Sequence, residues 1–243
     1  MITNGEVQER VLIAVPAFNE EGTVGQVIDG LRRALPKFDL LVIDDGSTDG
    51  TAGILDRMGV TTERHPGNLG YGRAIQTALG YASRGGYDKL ITVDADGQHP
   101  PDEVIALYDA SLVRAEDLLI GSRFIESRDY SGAPFGRRTG MRLFSLLARL
   151  FTGRQVYDTT SGLRIIRRSV FEPLTRFRFI DLHAEAIVYL LRLGYQVGEY
   201  PVCTKERTRG RSMYTLLSCF TYPVKTSFHM VLGLIQAELS KRR

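Results

Sequence analysis

The densest chemistry in the chain lies in Asp94-Ala95-Asp96-Gly97-Gln98-His99-Pro100-Pro101, directly after Lys89-Leu-Ile-Thr-Val93. Two carboxylates flanking one small alanine, with an amide oxygen two residues on, form a hard donor set suited to Mg2+ or Mn2+. The four apolar or β-branched residues before them read as a buried strand, and the paired prolines end it and start a helix. Alternate side chains of a strand share a face, so Asp94 and Asp96 can point into one space. Strand ends of this kind are where open α/β sheets bind ligands. Asp-x-Asp is also common as a solvated turn, so the surrounding elements must decide.

Those elements alternate. Val11–Val15 is a short buried strand broken by Pro16, followed by a helix through Leu35 with Val24, Val27, Ile28 and Leu31 on one face. Asp39–Ile43 is a second strand, and Asp44-Asp45-Gly-Ser-Thr-Asp49-Gly50 is a turn that caps the next helix. A third strand fits Val60–Arg64. Gly67-Asn-Leu-Gly70-Tyr-Gly72-Arg73 then opens a helix to about Arg84. After the Lys89 strand come a helix from Asp102 to about Arg114 and a strand at Asp117–Gly121. Such alternation with short turns predicts a mostly parallel sheet with right-handed crossovers. Ile75 stands where a Gly-x-Gly-x-x-Gly motif needs its third glycine, and no Gly-x-x-x-x-Gly-Lys-Ser/Thr loop occurs, so dinucleotide and P-loop chemistry are disfavoured.

The second half is less regular. Glu126–Arg137 reads as a loop, and Arg138–Leu150 as a helix with Leu143, Leu146, Leu147 and Leu150 at helical spacing. A turn at Tyr157–Gly162 enters a short strand at Leu163–Ile166. Leu182–Arg192 is a helix carrying Glu185, and Gln196–Val202 a strand interrupted by Pro201. Lys205–Ser212 is a polar, Arg-rich loop. From Met213 to Glu238 runs a helical pattern in which Leu217, Phe220, Val224, Phe228, Val231, Ile235 and Leu239 recur every three or four residues, with a kink expected at Pro223. No apolar run approaches the ~18–20 residues of a spanning helix. The stripe suits a helix packed on the core or on another subunit, and, with Lys225 inside and Lys241-Arg-Arg243 after it, an interfacial membrane helix.

Composition is that of a globular chain, 243 residues with 43% apolar and 24% charged, enough for a sizeable core. Cys203 and Cys219 make no disulfide framework and no metal or redox pattern, and the polar start lacks a signal-peptide core, so a cytosolic, reduced setting is expected. The net charge of +3 hides an asymmetry: residues 1–120 hold 10 Lys/Arg against 19 Asp/Glu, whereas residues 121–243 hold 21 against 9. An acidic half that holds a metal and a basic half that receives phosphates would look like this. The arginines are not interleaved with a recognition motif, which argues against a nucleic-acid partner.

Taken together, Val15-Pro-Ala-Phe-Asn-Glu-Glu21, Val42-Ile-Asp-Asp-Gly-Ser-Thr-Asp49, Asn68-Leu-Gly-Tyr-Gly72, Val93–Pro101, Gly121-Ser-Arg123, Asp158-Thr-Thr-Ser-Gly-Leu-Arg164, Gly194–Val202 and Arg207-Thr-Arg-Gly-Arg-Ser212 resemble, in family order, the family-2 inverting glycosyltransferases of the dolichyl-phosphate mannose synthase-like branch. The resemblance covers nearly the whole chain after Glu9. It implies the glycosyltransferase-A (GT-A) fold over residues 1–212, a nucleotide-sugar half at about 10–120, an acceptor half at about 121–212, and an appended helix at 213–243.

It also implies roles. Pro16, Ala17, Phe18 and Glu20 would line the base and ribose site with Asp45; Arg73 would lie near the phosphates, and Asp94 and Ala95 by the ribose or metal. Asp94, Asp96 and Gln98 would bind the metal bridging the diphosphate, and Arg207 would close over it. Arg123 and Arg137 or Arg138 would bind the acceptor phosphate, with Asp96, Arg207 and Arg123 carrying the reaction. The family's Asp-Pro-Thr-Ser-Gly is here Asp158-Thr-Thr-Ser-Gly162, and Thr139-Gly-Met141 stands where a serine is common.

The implied reaction transfers a hexose, with inversion, from a donor of the GDP-mannose or UDP-glucose type to a polyprenyl phosphate at the cytoplasmic face of a membrane. A phosphate monoester is largely dianionic near neutrality and can attack without a general base, so its site needs cations more than a base. A saccharide hydroxyl acceptor would need one. Asp181 and Glu185 are the candidates for it, against the plainer reading that Glu185 braces its helix. A soluble subunit that needs a small membrane-protein partner is a further reading.

Overall fold

The computed structural model of the protein describes residues 9–126, 135–178, 181–205 and 216–241. Among these described residues seven strands, β1 (Val11–Ala17), β2 (Asp39–Asp44), β3 (Thr61–Arg64), β4 (Lys89–Thr92), β5 (Leu118–Ser122), β6 (Arg164–Arg167) and β7 (Val197–Pro201), form one sheet in the order β3-β2-β1-β4-β6-β5-β7. β1 pairs in parallel with β2 on one side and β4 on the other, so the chain reverses its direction of travel across the sheet at β1. That reversal opens a crevice beyond the carboxyl ends of β1, β2 and β4.

The helices are α1 (Val24–Ala34), α2 (Thr51–Met58), α3 (Tyr71–Gly85), α4 (Pro101–Val113), α5 (Phe135–Thr152), α6 (Phe171–Arg176), α7 (Ala184–Leu193) and α8 (Leu216–Lys241). Strand alternation divides the core between the two faces of the sheet. Leu12, Ala14, Leu41, Ile43, Leu90 and Ile166 pack with α3, α6 and α7. Val11, Ile13, Val15, Val42, Ile91 and Ile165 pack with α1 and α4. Each fully buried Leu or Ile adds about 1.5–3 kcal/mol to this double layer.

Two expectations need correction. β1 is not broken by Pro16 but continues through it, pairing Pro16 with Ile43. β4 has ended its pairing with β1 at Ala14–Thr92, so the missing amide of Pro16 stands where no β4 neighbour asks for one. The loop expected over Glu126–Arg137 gives way to α5 at Phe135, and α5 reaches Thr152. The sheet is mostly parallel, as expected, with β6 running antiparallel to both neighbours.

The C-terminal stripe is where the structure adds most. α8 continues through Pro223 and packs on α7 and α5. The face it buries carries Thr226, Met230 and Ala237, and Gly233 lets its backbone approach α7 so closely that a Cβ there would lie 3.1 Å from the Glu185 carbonyl oxygen. The apolar stripe points the other way: Val224, Phe228, Val231, Ile235 and Leu239 are all exposed, from 42 to 72%. α5 repeats the inversion, burying Met141, Phe144 and Ala148 while Leu143, Leu146 and Leu150 face outward. Two adjacent helices thus present apolar stripes that no other described residue covers.

Candidate active site

The floor of the crevice is built from loops that satisfy one another. After β1, the Asn19 amide donates to Ser47 Oγ (3.0 Å), and Asn19 Oδ1 accepts from the Thr48 amide (2.8 Å). The Gly50 amide donates to Glu21 Oε2 (2.7 Å), and the Glu20 amide to Thr51 Oγ1 (2.9 Å). Gly46, at φ 72°, lets this loop meet the backbone of Gly67, since a Cβ there would sit 2.4 Å from it. Above this frame Pro16 is half-buried, Ala17 is buried, and Phe18 stands 36% exposed. Glu20 Oε2 accepts from Thr23 Oγ1 (2.9 Å).

Asp45 has a structural duty that the sequence did not reveal. Its carboxylate accepts the amides of Leu69 (2.9 Å) and Gly70 (2.8 Å), and His65 Nδ1 lies 2.6 Å away, itself braced by Thr77 Oγ1 at 2.9 Å from Nε2. Asp45 therefore ties the end of β2 to the residues that launch α3. Arg73, in the first turn of α3, is exposed and donates from Nη1 to Gln76 Oε1 (3.0 Å).

Asp94 and Asp96 are not placed by strand alternation: β4 ends at Thr92 and residues 95–97 form a turn. Tyr71, the first residue of α3, feels both, hydrogen-bonding Asp94 and lying within electrostatic reach of Asp96. Burial and these two charges hold its phenol well above the usual range. Thr92 Oγ1 donates to the Gly162 carbonyl (2.7 Å), drawing the 158–162 turn over the end of β4. Any Cβ on Gly162 would fall 2.0 Å from Asp94 Oδ2, so only glycine fits against that carboxylate. The Gln98 amide donates to Asp96 Oδ1 (3.0 Å), closing the turn.

Gln98 also anchors the following loop: the Lys205 amide donates to its carbonyl (2.9 Å), and its Nε2 reaches the Lys205 carbonyl (3.4 Å). Arg207 lies two residues on, outside the described residues. Among the described residues no three His, Cys, Asp or Glu side chains group as a ready metal cage. Two carboxylates and one amide oxygen, left to be completed by water and a diphosphate, suit the way Mg2+ is usually held, and Mn2+ accepts the same donors. The residues fit such an ion.

On the other side, Arg123 forks onto Asp158, from Nε at 2.7 Å and Nη2 at 2.8 Å, and also reaches Thr160 Oγ1 (3.2 Å). Asp158 is fully buried and Glu199 accepts the amides of Tyr157 and Asp158, both at 2.8 Å. Arg123 thus has a structural partner in addition to whatever it offers a phosphate. His99, buried between Arg123, Asp96 and Asp158, is held neutral, its pKa pulled down to about 4 by burial and then by the Arg123 charge. Arg138 is half-buried in the first turns of α5, and of Arg137 only the backbone is described.

The segment between the sheet and α7 completes the wall. Asp181 Oδ2 lies 3.0 Å from Lys225 Nζ and 3.6 Å from His229 Nδ1, both on α8. Glu185, fully buried, accepts the His183 amide on Oε1 (3.0 Å), and burial pushes its pKa up to about 7. Neither carboxylate is arranged as an open base. Sequence reasoning passed over Tyr71, His99, Arg164 and Glu199. The only signal for them was their place inside the quoted motifs.

Comparison with known proteins agrees with this geometry. Residues 12–175 match the family described as Glycosyl transferase family 2. A polyprenol monophosphomannose synthase of Mycolicibacterium smegmatis is 31% identical over 218 residues, covering 84% of this chain and 80% of that protein. An undecaprenyl-phosphate mannosyltransferase of Micrococcus luteus is 32% identical over 218 residues, covering 84% and 86%. Among solved structures, glucosyl-3-phosphoglycerate synthase from Mycobacterium tuberculosis, in complex with Mn2+, UDP-glucose and phosphoglyceric acid, superposes with a TM-score of 0.65 at 21% identity, covering 95% of this chain and 80% of that one. The last likeness shows the fold.

Proposed function

The chain belongs to glycosyl transferase family 2 and has the GT-A fold, and from that premise we propose that it transfers a hexose from a nucleotide sugar to a polyprenyl phosphate, with inversion and with the help of a divalent cation. The observation that carries the proposal is the Asp94–Asp96 turn at the crevice of the sheet, facing the zipped loops after β1 and β2 and bordered by the basic second half. The two lipid-phosphate mannosyltransferases above, each aligned over at least 80% of its length, support the acceptor class.

In this reading Pro16, Ala17, Phe18 and Glu20 contact the nucleoside, with Arg73 towards the phosphates. Asp94, Asp96 and Gln98 hold Mg2+ or Mn2+, which would supply positive charge to the departing diphosphate. Arg207 adds a second positive charge there as it leaves, a contribution that acts on the transition state. Arg138 and Arg137 orient the acceptor phosphate, and Arg123 helps by fixing the 158–160 turn. A dianionic phosphate attacks without a base. This agrees with Asp181 being drawn to α8 and Glu185 to the start of α7.

The exposed stripes of α5 and α8 are read as the face that meets the membrane surface. Lys225, Arg142 and Arg149 are exposed alongside, which suits anionic headgroups. No helix among the described residues is long and apolar enough to cross a membrane. A small membrane-protein subunit is not required by this reading. The test is a panel of labelled nucleotide sugars given to the full chain with detergent-dispersed polyprenyl phosphate. Label that extracts into organic solvent and is acid-labile supports lipid-phosphate transfer. Label that stays aqueous on a saccharide refutes it.

A further inference from the structure

Asp94 is served by a residue on a different element. Tyr71 opens α3 after Gly70, whose φ of 95° and whose amide, donating to Asp45 Oδ2, fix the direction in which the helix starts. Its hydroxyl hydrogen-bonds Asp94. Its ring stacks on His183 at 5.0 Å between centroids and 13° between planes. His183 stays neutral in that stack, its pKa drawn down to about 3 by burial and by Arg164.

The fold invests in that ring's position. Leu182, a bulky and buried residue, is held at φ 51°, a left-handed conformation that such side chains rarely adopt. Arg164, itself buried, holds the strained peptide by donating from Nη1 to the Leu182 carbonyl (2.6 Å), while its Nε takes the Ser161 carbonyl (2.8 Å) and Nη2 the Thr159 carbonyl (3.2 Å). One arginine thus fixes both the turn that presses Gly162 onto Asp94 and the residue that presents His183 to Tyr71. Asp94 is confined on one side by Gly162 and oriented on another by a phenol that is itself clamped.

We infer that Tyr71 is a positioning residue, which orients the Asp94 carboxylate for a divalent cation through its hydroxyl and is kept in place by the stack with His183. The inference rests on the reading of Asp94 as a cation ligand. Carboxylates that hold a cation need outer hydrogen bonds to fix the direction of their lone pairs, and losing such a partner typically weakens binding by about 10–100-fold.

Tyr71→Phe keeps the ring and the stack and removes only the hydroxyl. Free Mn2+ is measured by electron paramagnetic resonance in the presence of the full chain, with and without UDP or GDP. Tyr71→Phe is expected to raise the Mn2+ dissociation constant by about tenfold or more, and in turnover to raise the Mn2+ activation constant while the rate at saturating Mn2+ stays within about twofold. A merely structural role would not produce that split. In Asp94→Asn, adding Tyr71→Phe is expected to cause no further loss. His183→Gln, which keeps the hydroxyl and removes the ring beneath it, should weaken Mn2+ binding several-fold, and it serves as the test should Tyr71→Phe not fold. If Asp94→Asn weakens Mn2+ binding and Tyr71→Phe and His183→Gln do not, the role of Tyr71 is overturned and that of Asp94 stands. If Asp94→Asn leaves Mn2+ binding unchanged, both fall.

Discussion

Replacing Glu185 by glutamine should make stability less sensitive to pH, by an amount that can be worked from its surroundings. The side chain is fully buried at the start of α7, with Oε1 taking the His183 amide and Oε2 without a hydrogen-bond partner among the described residues. Burial, helped by the nearby Asp181, raises its pKa from an ordinary 4.5 to about 7, while the His183 and Glu185 amides and the Arg164 charge pull the other way. A carboxyl whose pKa is raised on folding keeps its proton in the native state when the unfolded chain has already released it. Its contribution is therefore fully present below about pH 4.5 and is lost as pH rises through about 7. By linkage the native state forfeits about 1 kcal/mol near pH 5.5 and about 3 kcal/mol near pH 8.

Glutamine cannot ionise, so the difference in unfolding free energy between Glu185→Gln and the parent should shift in the variant's favour by about 2 kcal/mol across that range. Any constant cost of burying the new amide cancels in that difference, and so does the titration of His183, which both proteins share. Urea unfolding at the two pH values, followed by circular dichroism, measures it. A difference that does not change with pH would mean that Glu185 is ionised and solvated in the native protein.

Two further outcomes are expected. Arg123→Ala should destabilise the fold by about 3–5 kcal/mol, because it removes the guanidinium paired with the buried Asp158 carboxylate and leaves it neutral backbone and hydroxyl donors; Arg138→Ala should weaken use of the lipid phosphate more than nucleotide binding. Denaturation curves and separate Michaelis constants for donor and acceptor check this, and a loss below about 1 kcal/mol in Arg123→Ala would contradict it. On the outer face, Phe228→Glu with Ile235→Glu should keep the near-ultraviolet spectrum and lower partitioning onto anionic vesicles by more than about tenfold. Sedimentation with vesicles decides, and unchanged partitioning would show that this face does not meet lipid.

Much of the fold was legible because β1, β2, β4 and β5 are short, mostly apolar runs between turn residues that face core on both sides of the sheet, while β3, a polar and largely exposed edge strand, showed itself by its place between turns. What was not legible follows from what periodicity cannot encode. The stripes Leu143-Leu146-Leu150 and Val224-Phe228-Val231-Ile235-Leu239 have the spacing of core-facing helices, yet they point outward while Met141, Phe144, Thr226 and Met230 pack inward. Spacing gives a face and says nothing of which face the rest of the chain covers. The direction of β6 was hidden for a similar reason, since a strand alternates identically in either sense. At the site, Asp94, Asp96 and Gln98 announced themselves by type and spacing. Tyr71, His183 and Arg164 did not, because a stack and three carbonyl contacts are long-range and leave no local pattern. Asp45 and Arg123 stood out as charged residues in motifs, and the structure adds to each a partner, the α3 start for one and Asp158 for the other.

In the proposed reaction Asp96, with Asp94, forms the cation-dependent centre from which sugar is passed to a lipid phosphate. The most direct measurement compares the parent chain and Asp96→Ala for transfer of label from the preferred nucleotide sugar to detergent-dispersed polyprenyl phosphate, each with added Mn2+ or with chelator. Organic-extractable product is expected only from the parent and only with the cation, together with loss of cation-dependent donor binding in Asp96→Ala. Full transfer by Asp96→Ala in chelator would contradict it.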